Sequence, residues 1–142
     1  MSNVRPGANV VDEHVFMFVL ELEIRKALRL QYPISLVTIS AHESATSTSA
    51  GLSDADLVLR VVSRSIRGAD LIGLVPNRPM ALRALLSGAY IDDVGPVMER
   101  IRNDVPRELR LRFGVACFPG TDISGPDLLA RADTEAGLVA AE

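Results

Sequence analysis

The chain of 142 residues has no tryptophan, one cysteine, one lysine and two histidines, and each scarcity removes a class of function. Cys117 alone cannot build a disulfide framework, and its place in the apolar run 113–118 makes it a small hydrophobe. His14 and His42 lie far apart, with no thiol or carboxylate cluster at ligand spacing, so neither a zinc centre nor any other cofactor is expected. The serines and threonines of residues 44–49 have no base nearby, which leaves nucleophilic catalysis without a basis. Charge of one sign is also in short supply. Fifteen basic against 18 acidic residues give a net charge of −3, too weak a field of the wrong sign to hold nucleic acid or an anionic membrane. The apolar run 15–20 is far below membrane-spanning length, and the first residues carry no signal-type apolar region. These absences predict a cytoplasmic protein, or a cytoplasmic module of a larger one, with no membrane insertion.

What is present suffices for one domain: 48% of the residues are hydrophobic. Residues 1–9 read as a flexible lead and 10–142 as a single domain. A helix is expected over residues 10–30, with Asp12 and Glu13 in its first turn and Arg25, Lys26 and Arg29 in its last. It carries two apolar stripes. Phe16, Leu20, Ile24 and Ala27 follow helical spacing on one face, and Val11, Val15, Phe18 and Leu22 on roughly the opposite one. Either the helix is buried on both sides within its own domain, or the second stripe meets a partner.

Residues 34–41 alternate in a β-branched run and read as a strand. Residues 42–53 are small, polar and without period, which predicts a mobile loop. A helix over 55–68 leads to strands at 70–75 and 80–86, a helix starting at Asp92 and Asp93 and running to about 103, a strand at 109–118 and a closing helix at 126–141. Pro96 is expected within the first turn or so of its helix, where proline is tolerated. The order α-β-α-β-β-α-β-α predicts an α/β (α+β) domain, a mixed five-stranded sheet flanked by helices.

The middle of the chain organises the rest. Arg67-x-x-Asp70 ends a helix and opens a short strand, and Pro76-Asn77-Arg78-Pro79 forces a turn before the second strand, which makes a hairpin. The turn holds no carboxylate, no glycine pair and no His or Cys, so little in it binds a metal or activates a nucleophile.

Six local patterns in this order carry a family likeness: Phe16 with Leu20-Glu-Leu-Glu-Ile-Arg-Lys-Ala27, Asp56-Leu-Val-Leu-Arg60, Arg67-x-x-Asp70, Glu99-Arg-Ile-Arg102, Phe113-Gly-Val-Ala-Cys-Phe-Pro119 and Leu128-Leu-Ala-Arg-Ala-Asp133. Together the chain resembles the GGDEF domain of diguanylate cyclases in a degenerate form. In that family an Arg-x-x-Asp motif stands five residues before the Gly-Gly-Asp/Glu-Glu-Phe signature, which puts Pro76-Asn77-Arg78-Pro79-Met80 at the signature position. The family's glycines let the backbone approach the nucleotide and its carboxylates help hold divalent ions. Here Arg78 sets a cation where an anion is required. The strand at 34–41 has no metal-binding Asp, the base-binding Asn-Asp pair would fall near Ser47 and Thr48, Leu52 replaces a histidine, and the phosphate-contacting lysine would fall near Ala140 or Ala141.

The resemblance therefore implies a domain that is not an enzyme: a catalytically inactive GGDEF-like signalling or scaffolding module. It would act on another protein or on itself, as a homodimer, through Val11, Val15, Phe18 and Leu22. The alternative it implies is a cyclic di-GMP receptor, with Arg67, Asp70 and either Arg100 or Arg102 gripping the dinucleotide. A plainer account of Arg67 and Asp70 also stands, an arginine favourably placed at a helix C-terminus beside an aspartate that opens a strand.

Overall fold

Two runs of the chain are buried along their whole length: residues 34–41 in β2 (Ile34–Glu43) and residues 81–86 in β4 (Ala81–Ser87). Strands buried on both faces read as continuous apolar runs, and such strands need helices above and below. A computed structural model, which describes residues 9–43, 54–66, 70–120 and 124–138, meets that need. Its sheet has the order β1-β3-β4-β2-β5, where β1 is Asn9–Val11, β3 is Leu71–Leu74 and β5 is Leu109–Phe118. β1 runs parallel to β3 and the other pairs are antiparallel, so the sheet is mixed as expected.

Side-chain alternation sorts the core into two layers. Val37 and Ile39 of β2 lie beside Ala84 and Leu82 of β4, and face α2 (Asp54–Ser65) and α3 (Ile91–Asp104) through Val58, Val61, Val62, Val94 and Ile101. Ile34 and Leu36 lie with Leu85 on the other face, under Phe16, Leu20 and Ile24 of α1 (Glu13–Leu30) and Leu128 and Ala132 of α4 (Gly125–Glu135). Two glycines allow close helix approach there. A Cβ at Gly73 would stand 2.5 Å from the Phe16 ring, and one at Gly114 would overlap the Ala132 carbonyl.

One polar knot interrupts the α1/α4 layer. Arg83 and Thr38 are register partners on β4 and β2. Arg83 donates from Nη2 to Asp133 Oδ2 at 2.7 Å and from Nε to Oδ1 at 3.3 Å, and Thr38 Oγ1 donates to Oδ1 at 2.7 Å. The bidentate fork fixes α4 to the sheet. Arg83 Nη1 has no hydrogen-bond acceptor and faces Glu13 Oε2 at 3.6 Å, which ties in the start of α1.

Several features differ from expectation. The first helix begins at Glu13, because Asp12 is extended (ψ 177°) and its carboxylate accepts the Val15 N–H at 2.9 Å, an N-cap. Val10 and Val11, β-branched, instead join β1 opposite Ile72 and Gly73. Val11 is therefore a strand residue and no part of a helical stripe. This strand is also the fifth of the sheet, since the expected order contained only four, and it begins at Asn9 inside the presumed flexible lead. The closing helix stops at Glu135: Gly137 (φ 79°) bonds back to Thr134 and Leu138 to Asp133, the paired bonds of a left-handed cap. β2 continues to Glu43, two residues into the expected loop, whose residues 44–53 lie outside the described residues. Pro96 is the sixth residue of α3 rather than a first-turn residue, so the helical bond to the Asp92 carbonyl is missing.

Asp133→Ala is expected to cost about 3–5 kcal/mol in urea unfolding, because it leaves the Arg83 cation buried without its partner. The paired change Arg83→Met with Asp133→Leu should recover most of that loss.

Candidate functional site

The two ends of the sheet differ in chemistry. At one end β3 and β4 are joined by two consecutive β-turns. The Arg78 N–H bonds to the Val75 carbonyl at 3.2 Å across Pro76 and Asn77, and the Ala81 N–H bonds to the Arg78 carbonyl at 3.1 Å across Pro79 and Met80. Proline takes the second position of each turn, and Asn77 takes the left-handed conformation (φ 62°) that the third position of a type II turn requires. Arg78 Nη2 donates to the Leu138 carbonyl at 3.1 Å, pinning the turn to the end of α4. A recess of about 410 Å³ beside this turn is lined mainly by apolar side chains such as Leu59, Leu74, Val75, Pro79 and Leu82. Asp56 is the one carboxylate among its described lining residues, and no described cluster of three His, Cys, Asp or Glu suits a metal ion. This donor set does not fit the divalent ions that the family resemblance implies.

At the opposite end an open pocket of about 540 Å³ lies between α2, α3 and the Ser87–Ala89 connector. The last turn of α2 brings Arg64, and Asp70, buried, stands just before β3. Gly88, left-handed at φ 81°, lets β4 turn sharply into α3 and anchors the connector through its N–H to the Pro33 carbonyl at 2.7 Å. α3 adds Asp93, Pro96, Val97 and Arg100. Asp93 is occupied as a cap, its Oδ2 accepting the Tyr90 N–H at 2.9 Å. Two guanidinium forks and one buried carboxylate can hold an anionic ligand that also presents N–H donors.

Of the residues expected to form such a site, Asp70 and Arg100 come together here and Arg67 lies outside the described residues. Arg102 is placed elsewhere: its guanidinium stands 4.8 Å from the Phe113 ring centroid and 3.8 Å from Glu99. Two residues along a helix turn by about 200°, so Arg100 and Arg102 cannot serve one pocket. Arg64, which the sequence analysis did not single out, also lines the pocket, and its position six residues before Asp70 at a helix end was the available signal.

Behind the connector, Glu23 of α1 gathers three donors: Tyr32 Oη at 2.8 Å, Ser87 Oγ at 3.0 Å and Lys26 Nζ at 3.3 Å. Burial pushes the Glu23 carboxyl up, but the hydrogen bonds from Tyr32, Ser87 and Lys26 and the Lys26 charge outweigh it and hold the group below its ordinary 4.5. Tyr32 is pushed up to about 12, first by burial and then by the Glu23 carboxylate. On the outside of α1, Val15, Phe18 and Leu22 are 43%, 65% and 40% exposed.

A mixed sheet with two helices on each face, a hairpin near its centre and a pocket lined by two arginines and two aspartates at one end defines an α+β domain. Among solved structures that fold belongs to GGDEF domains. The chain is similar to the active GGEEF domain of a diguanylate cyclase from Vibrio cholerae, with a TM-score of 0.75 at 16% identity over 92% of this chain and 88% of that one. It is similar to a diguanylate cyclase protein from Thermotoga maritima, at 0.74 and 12% over 91% and 97%. It is also similar to the GGDEF domain of DgcB from Caulobacter crescentus in complex with c-di-GMP, at 0.68 and 18% over 94% and 88%. No family model and no curated protein matches the sequence.

These likenesses correct one expectation. The sequence reading took the chain out of the enzymes because residues 76–80 replace the signature and the metal and phosphate residues are absent, yet the structures that share its fold are diguanylate cyclase domains, so the fold is an enzymatic one. A changed turn alters one corner of that fold and does not remove the chain from it. No helix among the described residues is long and apolar enough to cross a membrane.

The Glu23 cluster should show in titrations. Tyr32 ionises at higher pH in the folded state than its ordinary 10.0, so its contribution to stability is full below pH 10 and is lost as pH rises through about 12. Glu23 is lowered, so its contribution is present above pH 4.5 and is lost as pH falls through the folded value. Glu23→Gln is expected to move the Tyr32 transition back toward 10, read by ultraviolet absorbance against pH.

Proposed function

We propose that this chain is a cyclic di-GMP signalling module that binds the dinucleotide in the pocket between α2, α3 and the Ser87–Ala89 connector. The observation that carries this reading is the convergence of Arg64, Asp70 and Arg100 on one pocket, with Asp70 buried. The ligand's two phosphates suit the guanidinium forks, and a guanine edge offers N–H donors to the Asp70 carboxylate. Arg67, three residues before Asp70, is assigned to the same grip. Support also comes from the Caulobacter domain of this fold, which was solved with c-di-GMP.

A second role has its own observation. Val15, Phe18 and Leu22 line the solvent side of α1 while Phe16, Leu20, Ile24 and Ala27 bury the other side. The outer face is an interface for another protein or a second copy, and the module passes its signal by contact.

Isothermal titration with cyclic di-GMP tests the first role. Micromolar binding is expected, weakened about tenfold or more by Arg67→Ala, Arg100→Ala or Asp70→Asn, in keeping with the strength of hydrogen bonds to charged groups. Arg102→Ala should leave affinity unchanged, because its side chain serves Phe113 and Glu99. Absence of heat at saturating dinucleotide would sink the binding role.

A further inference from the structure

The outer face of α1 is not uniformly apolar. Positions 15, 18, 22, 25 and 29 follow one another at spacings of three and four and form a single stripe. Its first half is Val15, Phe18 and Leu22, and its second half is Arg25 and Arg29, both exposed. Neither guanidinium makes a hydrogen bond or ion pair among the described residues, whereas Lys26, to one side, is held by Glu23 at 3.3 Å. An apolar patch thus runs into two cations that have no ion-pair partner among the described residues, along the same ridge.

That arrangement selects the occupant. A second copy fits badly. Antiparallel pairing about Phe18 and Leu22 would lay each Arg25 and Arg29 against the other helix's first turn, where Asp12 is engaged as the cap of the Val15 N–H and Glu13 turns to Arg83 at 3.6 Å, so neither carboxylate serves the arginines. Parallel pairing would set the arginines against one another. We infer that the outer face of α1 docks an acidic amphipathic helix of a different protein, lying antiparallel to α1. Glu or Asp in that helix's first turns meets Arg25 and Arg29, and apolar residues at helical spacing farther along cover Val15, Phe18 and Leu22. Acidic residues in a first turn also suit the partner helix's own dipole. This inference rests on the reading of that face as an interface and adds the chemistry of what it holds.

The test uses two fluorescently labelled helical peptides of one design. The first has glutamates in its opening turns followed by leucines at helical spacing, and the second has lysine at each glutamate. Anisotropy titration should show the acidic peptide bound and its lysine counterpart about tenfold or more weaker. The double variant Arg25→Glu, Arg29→Glu should reverse that order. Phe18→Asp should abolish binding of both while leaving circular dichroism and the melting temperature unchanged, since the ring is 65% exposed. Equal affinity for the two peptides overturns the inference, and so does failure to bind either. Sedimentation of the domain alone separates the two levels. A dimer that Phe18→Asp dissociates keeps the interface and makes its occupant a second copy. A monomer at every concentration, with no peptide bound, removes the interface as well.

Discussion

Everything in this domain depends on one constraint, the pairing of two strands that are buried on both faces. β2 and β4 leave no side chain from residues 34–41 or 81–86 in solvent, so both surfaces of the sheet must be covered. α1 and α4 cover one and α2 and α3 the other. The register Leu36 to Leu85 and Thr38 to Arg83 then sets which residues share a layer. A slip of one residue would exchange the layers and put Arg83 among the apolar side chains under α2 and α3. The fork from Arg83 to Asp133 forms only in the observed register, so the same contact that fastens α4 also specifies the strand pairing.

The same sheet separates two chemistries by distance. At the hairpin end the backbone is stiffened by two prolines and Arg78 is spent on the Leu138 carbonyl, so the turn is braced and its neighbouring recess is mostly apolar. At the far end the connector turns through left-handed Gly88, and charged groups from two helices meet around it. The Ser87 hydroxyl reaches through to Glu23, and Glu23 to Tyr32, so the connector is fixed from the α1 side as well. A polar site built on a connector held at Pro33, Glu23 and Asp93 has walls that are set before any ligand arrives.

Much of this was legible in the sequence. The strands at 34–41, 80–86 and 109–118, the four helices and the hairpin follow from periodicity, caps and turn residues, all of which act within a few positions of the chain, and the GGDEF likeness came from the resemblance of six motifs. The buried stripe Phe16, Leu20, Ile24 and Ala27 was legible for the same reason. The beginning of α1 was not. Val10 and Val11 continue a helical pattern in sequence, but Asp12 caps at that point and β3 offers them a ladder, a partner 62 residues away that no local pattern reveals.

What the sequence determined by itself, then, is every element but β1 and the two-sidedness of α1, because capping, turn chemistry and amphipathic spacing are local; the fold family came from motif resemblance. Only the tertiary structure decided that Arg64 and Arg100 join Asp70 in one pocket while Arg102 leaves for Phe113, because rotation about the α3 axis sends residues two apart to opposite sides. It likewise decided that Arg83 finds Asp133, 50 residues on, and that Arg78 braces a turn rather than facing a ligand. Those outcomes turn on which elements stand opposite one another, and that is set by packing two buried layers on one sheet.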